Sequence, residues 1–130
     1  MYDKVTHDIK VSVEPVFLEE RSNPQEDYFV WAYTIEIENL SKDTVQLITR
    51  SWQIADAHGQ IQDVNGPGVV GEQPILSPGQ SFRYTSGAPL STPSGMMMGS
   101  YQMETDAGEC FDVEIPAFSL DCPYHTAKLN

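Results

Sequence analysis

The sequence has few basic residues and no long apolar run, and each shortage excludes a class of partner. Its 130 residues contain seven Lys and Arg against nineteen Asp and Glu, a formal net charge of -12. Such a charge repels phosphate backbones and anionic lipid head groups, so we expect no nucleic acid and no membrane surface as direct partners. The longest apolar run, residues 28–33, is far shorter than the roughly 20 residues of a membrane-spanning helix, and we expect no direct membrane insertion.

Cysteine is also scarce, and this argues against a disulfide framework. Cys110 and Cys122 are the two cysteines, and in a reducing compartment both should be thiols. Cys122 and His125 have the spacing C-x-x-H, but tetrahedral zinc needs two further ligands, and no other paired spacing supplies them. We therefore expect no metal site and no cofactor.

The beginning and the length of the sequence predict a cytoplasmic protein of one domain. The segment MYDKVTHDIK is charged from its third residue and lacks the apolar stretch of a secretory signal. A length of 130 residues suits one hydrophobic core, so we expect residues 1–130 to form one domain.

Alternating apolar residues dominate the chain and predict strands. Apolar and polar residues alternate over residues 9–14 and 29–38, and again over 111–115. The segment VQLITRSWQIAD is rich in strand-forming residues, and turns are indicated at residues 39–43, 57–60 and 105–109. Residues 87–95, GAPLSTPSG, are expected to form a loop because of their prolines. No sustained helical periodicity is present. The pattern predicts an all-β, immunoglobulin or fibronectin III-like antiparallel β-sandwich of seven or eight strands, with a small closed barrel as the alternative.

Gly66, Gly68 and Gly71 have the spacing G-x-G-x-x-G, which in a dinucleotide-binding fold cradles a pyrophosphate. That reading requires a helix that begins within the motif and an acid about 20 residues later. Pro74 and Pro78 disfavour the helix, and residues 73–103 contain no acid. Two interpretations remain: backbone N–H groups that bind an anion, or glycines that shape a loop with Val69 and Val70 in the core.

Arg50 and Arg83 are the candidate cations for an anion site at these glycines. Arg50 shares strand parity with Trp52, which we expect in the core. Arg50 is then either paired at the edge of the core or turned outward by a bulge. If its guanidinium opens towards the glycines, it becomes a candidate anion contact.

The acid-free segment, residues 73–103, is the clearest irregularity of charge in this acidic chain. Alternation places Met97, Tyr101 and Met103 inward and leaves Met96 and Met98 outward. Exposed thioethers adapt to a partner's surface, so Met96 and Met98, with Pro89 and Pro93, form a candidate partner surface. The alternative is that both methionines lie between the sheets or under the loop.

The segments VQLITRSWQIAD, GPGVVGEQPILSPG, YTSGAPLSTPSG, MMMGSYQM and FDVEIPAFSLDCP resemble, in order and spacing, the bacterial ApaG family. The resemblance implies a fibronectin III-like sandwich and a link to cobalt resistance and magnesium efflux. The same domain occurs in eukaryotic F-box and polymerase-delta-interacting proteins as an interaction module.

Motifs of catalysis and of ion binding are missing as well. The sequence has no G-x-S-x-G and no H-E-x-x-H, and the resemblance supplies no catalytic residues, so we do not expect an enzyme. Four carboxylates on outward strand faces, Glu36, Glu38, Asp112 and Glu114, are expected to be solvated, with at most weak association of divalent cations. The expected function is binding of an unknown protein partner. The alternative is binding of phosphate, pyrophosphate or a nucleotide at the glycine loop, residues 66–71.

Overall fold

Two antiparallel sheets packed face to face form the protein, which a computed structural model describes for residues 2–123. The nine strands are β1 Tyr2–Thr6, β2 Ile9–Phe17, β3 Phe29–Asn39, β4 Val45–Asp56, β5 Ile61–Pro67, β6 Ile75–Leu76, β7 Ser81–Leu90, β8 Ser94–Thr105 and β9 Cys110–Asp121. One sheet has the order β1-β2-β3-β7. The other has the order β5-β4-β8-β9, with β6 paired to the start of β4. The predicted all-β sandwich is confirmed, and the barrel alternative is wrong.

The core lies between the two sheets and follows from the alternation of residues. Every second residue of β3 is buried: Phe29, Trp31, Tyr33, Ile35 and Ile37. Tyr33 meets Trp52 of β4 with 5.5 Å between ring centroids, and Trp52 meets Phe118 of β9 at 6.0 Å. These contacts join the sheets through large apolar side chains, the main source of folding free energy.

At one side of the sandwich, the outer strands of the two sheets, β1 and β9, contact each other. Lys4 forms an ion pair with Glu114, and the Tyr2 hydroxyl lies 3.1 Å from Ser119 Oγ. The Glu114 N–H donates to Thr6 Oγ1 at 3.3 Å. The other two outer strands, β5 and β7, line a cleft of about 240 Å³ on the opposite side.

The expected loop at residues 87–95 is wrong, because regular strand continues through most of it. Strand β7 runs to Leu90 and β8 begins at Ser94. Pro89 pairs in register with Val30, and β7 is an outer strand, where a residue without an N–H is tolerated. Strands β1 and β6 raise the number to nine. The former is mostly exposed and the latter has two residues, so neither leaves a clear apolar pattern.

Candidate functional site

The outer face of the five-stranded sheet carries the candidate methionines. Met96 and Met98 are 43% and 38% exposed, whereas Met97 and Met103 are each 1% exposed. Met98 lies beside Gln53 of β4, and Met96 lies beside Ala55. The outward direction of Met96 and Met98 is therefore confirmed, and the alternative that both lie between the sheets is wrong.

A groove of about 520 Å³ runs over this face next to Met98. Its walls come from four strands, with Asp63 and Asn65 from β5, Gln53 from β4 and Glu114 from β9. The pairing of β8 with β9 shifts register between Met97 and Gly99, which leaves Pro116 and Ala117 of β9 without a partner in the ladder. Such a bulge bends a strand and its sheet.

The acid-free segment does not form one surface, because its strands belong to different sheets. Strand β8 is central in the five-stranded sheet and β7 is an outer strand of the other. Pro89 is exposed and lines the cleft between β7 and β5, while Pro93 is half-buried in the connection before β8. The structure brings Met96 and Met98 together and places Pro89 on the other sheet.

The glycine loop ends in a tight reversal of the backbone. Val69 and Glu72 exchange two backbone hydrogen bonds of 2.8 and 2.9 Å, and between them Val70 and Gly71 have φ of 44° and 81°. Positive φ at both central residues defines a type I′ turn. The expectation that Val70 lies in the core is wrong, since it is 56% exposed, whereas Val69 is 1% exposed.

Three N–H groups of this loop already have backbone partners. Gly68 donates to Ile48, and Val69 and Glu72 donate to each other's carbonyls. The segment after Gly71 continues to β6 without the helix that a dinucleotide-binding motif requires.

Arg50 lies against this loop because of a bulge in β4. The pairing with β8 shifts register between Leu47 and Thr49, after which Arg50 stands opposite the buried Tyr101. Arg50 Nη1 donates to the carbonyls of Pro67 and Gly68, both at 3.0 Å. Within residues 2–123, no carboxylate lies within 4.0 Å of this half-buried guanidinium.

Three buried tyrosines line the core beside Arg50. The hydroxyls of Tyr84 and Tyr101 lie 2.5 Å apart. Burial raises the pKa of both above the ordinary tyrosine value, so both are neutral at neutral pH. Burial also raises the pKa of Tyr33, while a hydrogen bond with Ser86 and the charge of Arg50 act in the opposite direction.

Arg83 is not part of this arrangement. It is exposed on the outer face of the four-stranded sheet, where it pairs in register with Glu36 and shares a groove with Lys10. The structure thus brings one of the two candidate arginines to the glycine loop.

The remaining expectations about metals and thiols concern scattered residues. In the part of the chain that the structure describes, no three His, Cys, Asp or Glu residues are grouped to hold a metal ion. Cys110 is exposed, Cys122 is buried, and both are free; His125 lies outside the described residues. Between residues 2 and 123, the structure contains no helix that is long and apolar enough to span a membrane.

Sequence reasoning missed the polar walls of the groove and the tyrosine cluster. Gln53 points outward from β4, and Asp63 of β5 lies opposite it in the strand pairing. The pairing of β4 with β5 is therefore the signal that could have identified this wall of the groove. Tyr84 and Tyr101 belong to different sheets, and no local sequence pattern predicts the hydrogen bond between their hydroxyls.

Comparison with known proteins shows which family this chain belongs to. Residues 19–105 match the model of the ApaG domain. Protein ApaG of Rhodospirillum centenum is 58% identical over 130 residues, the whole of both chains, and Protein ApaG of Rhizobium leguminosarum bv. trifolii is 60% identical over the same length. The crystal structure of the ApaA protein of Bordetella pertussis superposes with a TM-score of 0.87 at 45% identity, covering 89% of this chain and 94% of that one. With an ApaG domain match over residues 19–105 and relatives that match its whole length, the chain belongs to the ApaG family.

Proposed function

We propose that this chain is a non-catalytic, cytoplasmic interaction module that binds a protein partner on the outer face of its five-stranded sheet. The observation that carries the proposal is the exposure of Met96 and Met98 on a central strand, next to a groove of about 520 Å³. Strand β8 lies between β4 and β9 and is paired with both along most of its length, so it offers a partner mainly side chains.

The two thioethers suit such a contact for a physical reason. The neighbour of Met96 across β4 is the short side chain of Ala55, and the neighbour of Met98 is Gln53. Methionine has three rotatable bonds and a polarizable sulfur, which lets it fit an irregular apolar partner. Covering the exposed part of both side chains contributes binding free energy at about 25 cal/mol per Å² of apolar area.

The resemblance to the ApaG family implies a link to cobalt resistance and magnesium efflux, and we propose that the bound partner provides this link. In this account the chain affects divalent cations by binding a protein that handles them. The sandwich itself associates with such ions weakly, through its negative charge.

Affinity capture with matched variants tests the proposal. M96Q/M98Q removes the apolar surface without changing the charge. It should capture about tenfold less, or less still, of the partner that the wild-type chain captures. The control V5T/V16T changes two exposed valines of the other sheet, 52% and 53% exposed, and should capture normally. Both variants should melt within a few degrees of the wild type. Equal capture by M96Q/M98Q and the wild type would remove this face from the proposal.

A second candidate function is binding of a phosphate-type anion at Arg50 and the glycine loop. It is supported by the half-buried guanidinium, which among the described residues has carbonyl partners and no carboxylate within 4.0 Å. Calorimetric titration with pyrophosphate, ADP and dinucleoside polyphosphates, with and without Mg²⁺, tests it. Heat that R50M abolishes supports the site, whereas no heat at millimolar ligand leaves Arg50 structural.

A further inference from the structure

The charged residues that the five-stranded sheet itself places on its outer face are acidic. Five strands build this sheet, and the one basic residue in them is Arg50, whose side chain points towards the core side with Tyr101. The exposed acids on the outer face include Asp63 of β5, and Asp112 and Glu114 of β9. The face therefore carries two exposed methionines among polar side chains in its middle, and acids on two sides.

The outer face of the other sheet is different. Lys10 and Arg83 lie there among Glu14 and Glu36 around one groove, so charges of both signs are interspersed. On the methionine face, by contrast, the acids come from the sheet itself and the basic contact comes from another strand. Lys4, from β1, reaches the edge of this face and pairs with Glu114, but both side chains are about half exposed, where an ion pair contributes little.

We propose that this face binds a segment of the partner protein that carries two Lys or Arg residues with an apolar residue between them. This rests on the proposed function and specifies the chemistry of the partner. The basic residues meet Asp63 at one wall of the groove and Glu114 at the other, and the apolar residue contacts Met98 between them. Charge complementarity of this kind sets specificity and the rate of association.

The spacing of the basic residues follows from the order of the strands. Asp63 and Glu114 are on β5 and β9, which are separated by three interstrand spacings of about 4.8 Å. Asp63 aligns with Gln53 of β4 and Glu114 aligns with Ser51, two residues along the strand, so the two positions are about 16 Å apart. An extended segment rises about 3.3 Å per residue, so four residues span about 13 Å, and the long side chains of Lys or Arg cover the remaining few Å. Residues i, i+2 and i+4 of an extended segment share one face, which gives the sequence pattern basic-x-apolar-x-basic.

Selection from a random peptide library displayed on phage, with the full chain as bait, tests the pattern. The selected peptides should contain two Lys or Arg residues four positions apart with Leu, Met or Phe midway. A synthetic peptide of that pattern should bind D63N/E114Q with a Kd about tenfold higher than the wild type. The control E14Q/E36Q makes the same charge change on the other sheet and should alter the Kd by less than about twofold. Raising the salt concentration should weaken wild-type binding.

The outcomes separate this inference from the proposed function. Neutral or acidic selected peptides, or equal effects of D63N/E114Q and E14Q/E36Q, would overturn the basic class of partner. If M96Q/M98Q still abolished capture of the cellular partner, the proposed face would stand and only its charge preference would fall. Failure to select any peptide would also overturn the basic segment as the occupant of this face. A dimer in sedimentation that M96Q/M98Q dissociates would overturn it too, and would identify a second copy of this chain as the occupant.

Discussion

Replacing Gly68 with alanine should destabilise the fold far more than the same change at Gly71, three residues later. Both glycines have positive φ, 60° and 81°, which costs an alanine about 1 kcal/mol at either position. At Gly71 nothing lies within 4 Å of the new Cβ, so the cost stays near that value. At Gly68 the Cβ would stand 2.2 Å from the backbone oxygen of Glu72, so the backbone must move.

Movement of the backbone at Glu72 determines how much additional free energy of unfolding G68A loses. The Glu72 oxygen accepts the 2.8 Å hydrogen bond from Val69, and the reciprocal bond returns from Glu72 to the Val69 carbonyl. Losing both costs about 2 kcal/mol, at about 1 kcal/mol each, so G68A should lose about 3 kcal/mol in all.

Urea unfolding followed by tryptophan fluorescence measures the difference. Trp31 and Trp52 are 1% and 4% exposed, so their emission should shift on unfolding. The free energies of unfolding of G68A and G71A should differ by about 2 kcal/mol. Equal losses, or a larger loss for G71A, would refute the close approach of the backbone at Gly68 and with it the structural role given to the loop.

Four further predictions concern the buried tyrosines, Arg50 and divalent cations. Y84F should lose about 1 to 2 kcal/mol, because the Tyr101 hydroxyl stays buried without its partner; Y84F/Y101F should lose less than the two single changes together. Since burial raises the pKa of both tyrosines, their stabilising effect is complete below pH 10 and falls at higher pH, so urea titrations should show a shallower alkaline loss for Y84F/Y101F. R50M should lose about 2 kcal/mol in the same assay, because two carbonyls lose a charged donor. Equilibrium dialysis should find only weak binding of Co²⁺ or Mg²⁺ that moderate salt abolishes; stoichiometric binding in salt would contradict the account.

The strands with a complete alternating pattern could be predicted from the sequence. In β3 the residues from Phe29 to Ile37 alternate without interruption, because one face of the strand is wholly buried and the other is exposed. The same reasoning placed Met97 inward and Met98 outward in β8, although three methionines stand in a row.

The remaining features depend on contacts between distant segments. Arg50 faces the same side as Trp52, as strand parity predicts, but the bulge after Leu47 changes the phase of β4, so that Leu47 and Arg50 both face inward although they are three residues apart. Pro89 fits into β7 because that strand is on the outside of its sheet, which the local sequence does not reveal. Val70 is exposed because the type I′ turn reverses the chain there, despite a residue type that disfavours positive φ.

The direct test of the central claim is oxidation of methionine in the free protein and in the captured complex. Dilute hydrogen peroxide followed by mass spectrometry reports each site, since thioether oxidation follows exposure. In the free protein Met96 and Met98 should oxidise, while the buried Met97 and Met103 serve as internal controls that do not. We expect the bound partner to protect Met96 and Met98 from oxidation. Oxidation of both at the same rate in the complex and in the free protein would contradict it.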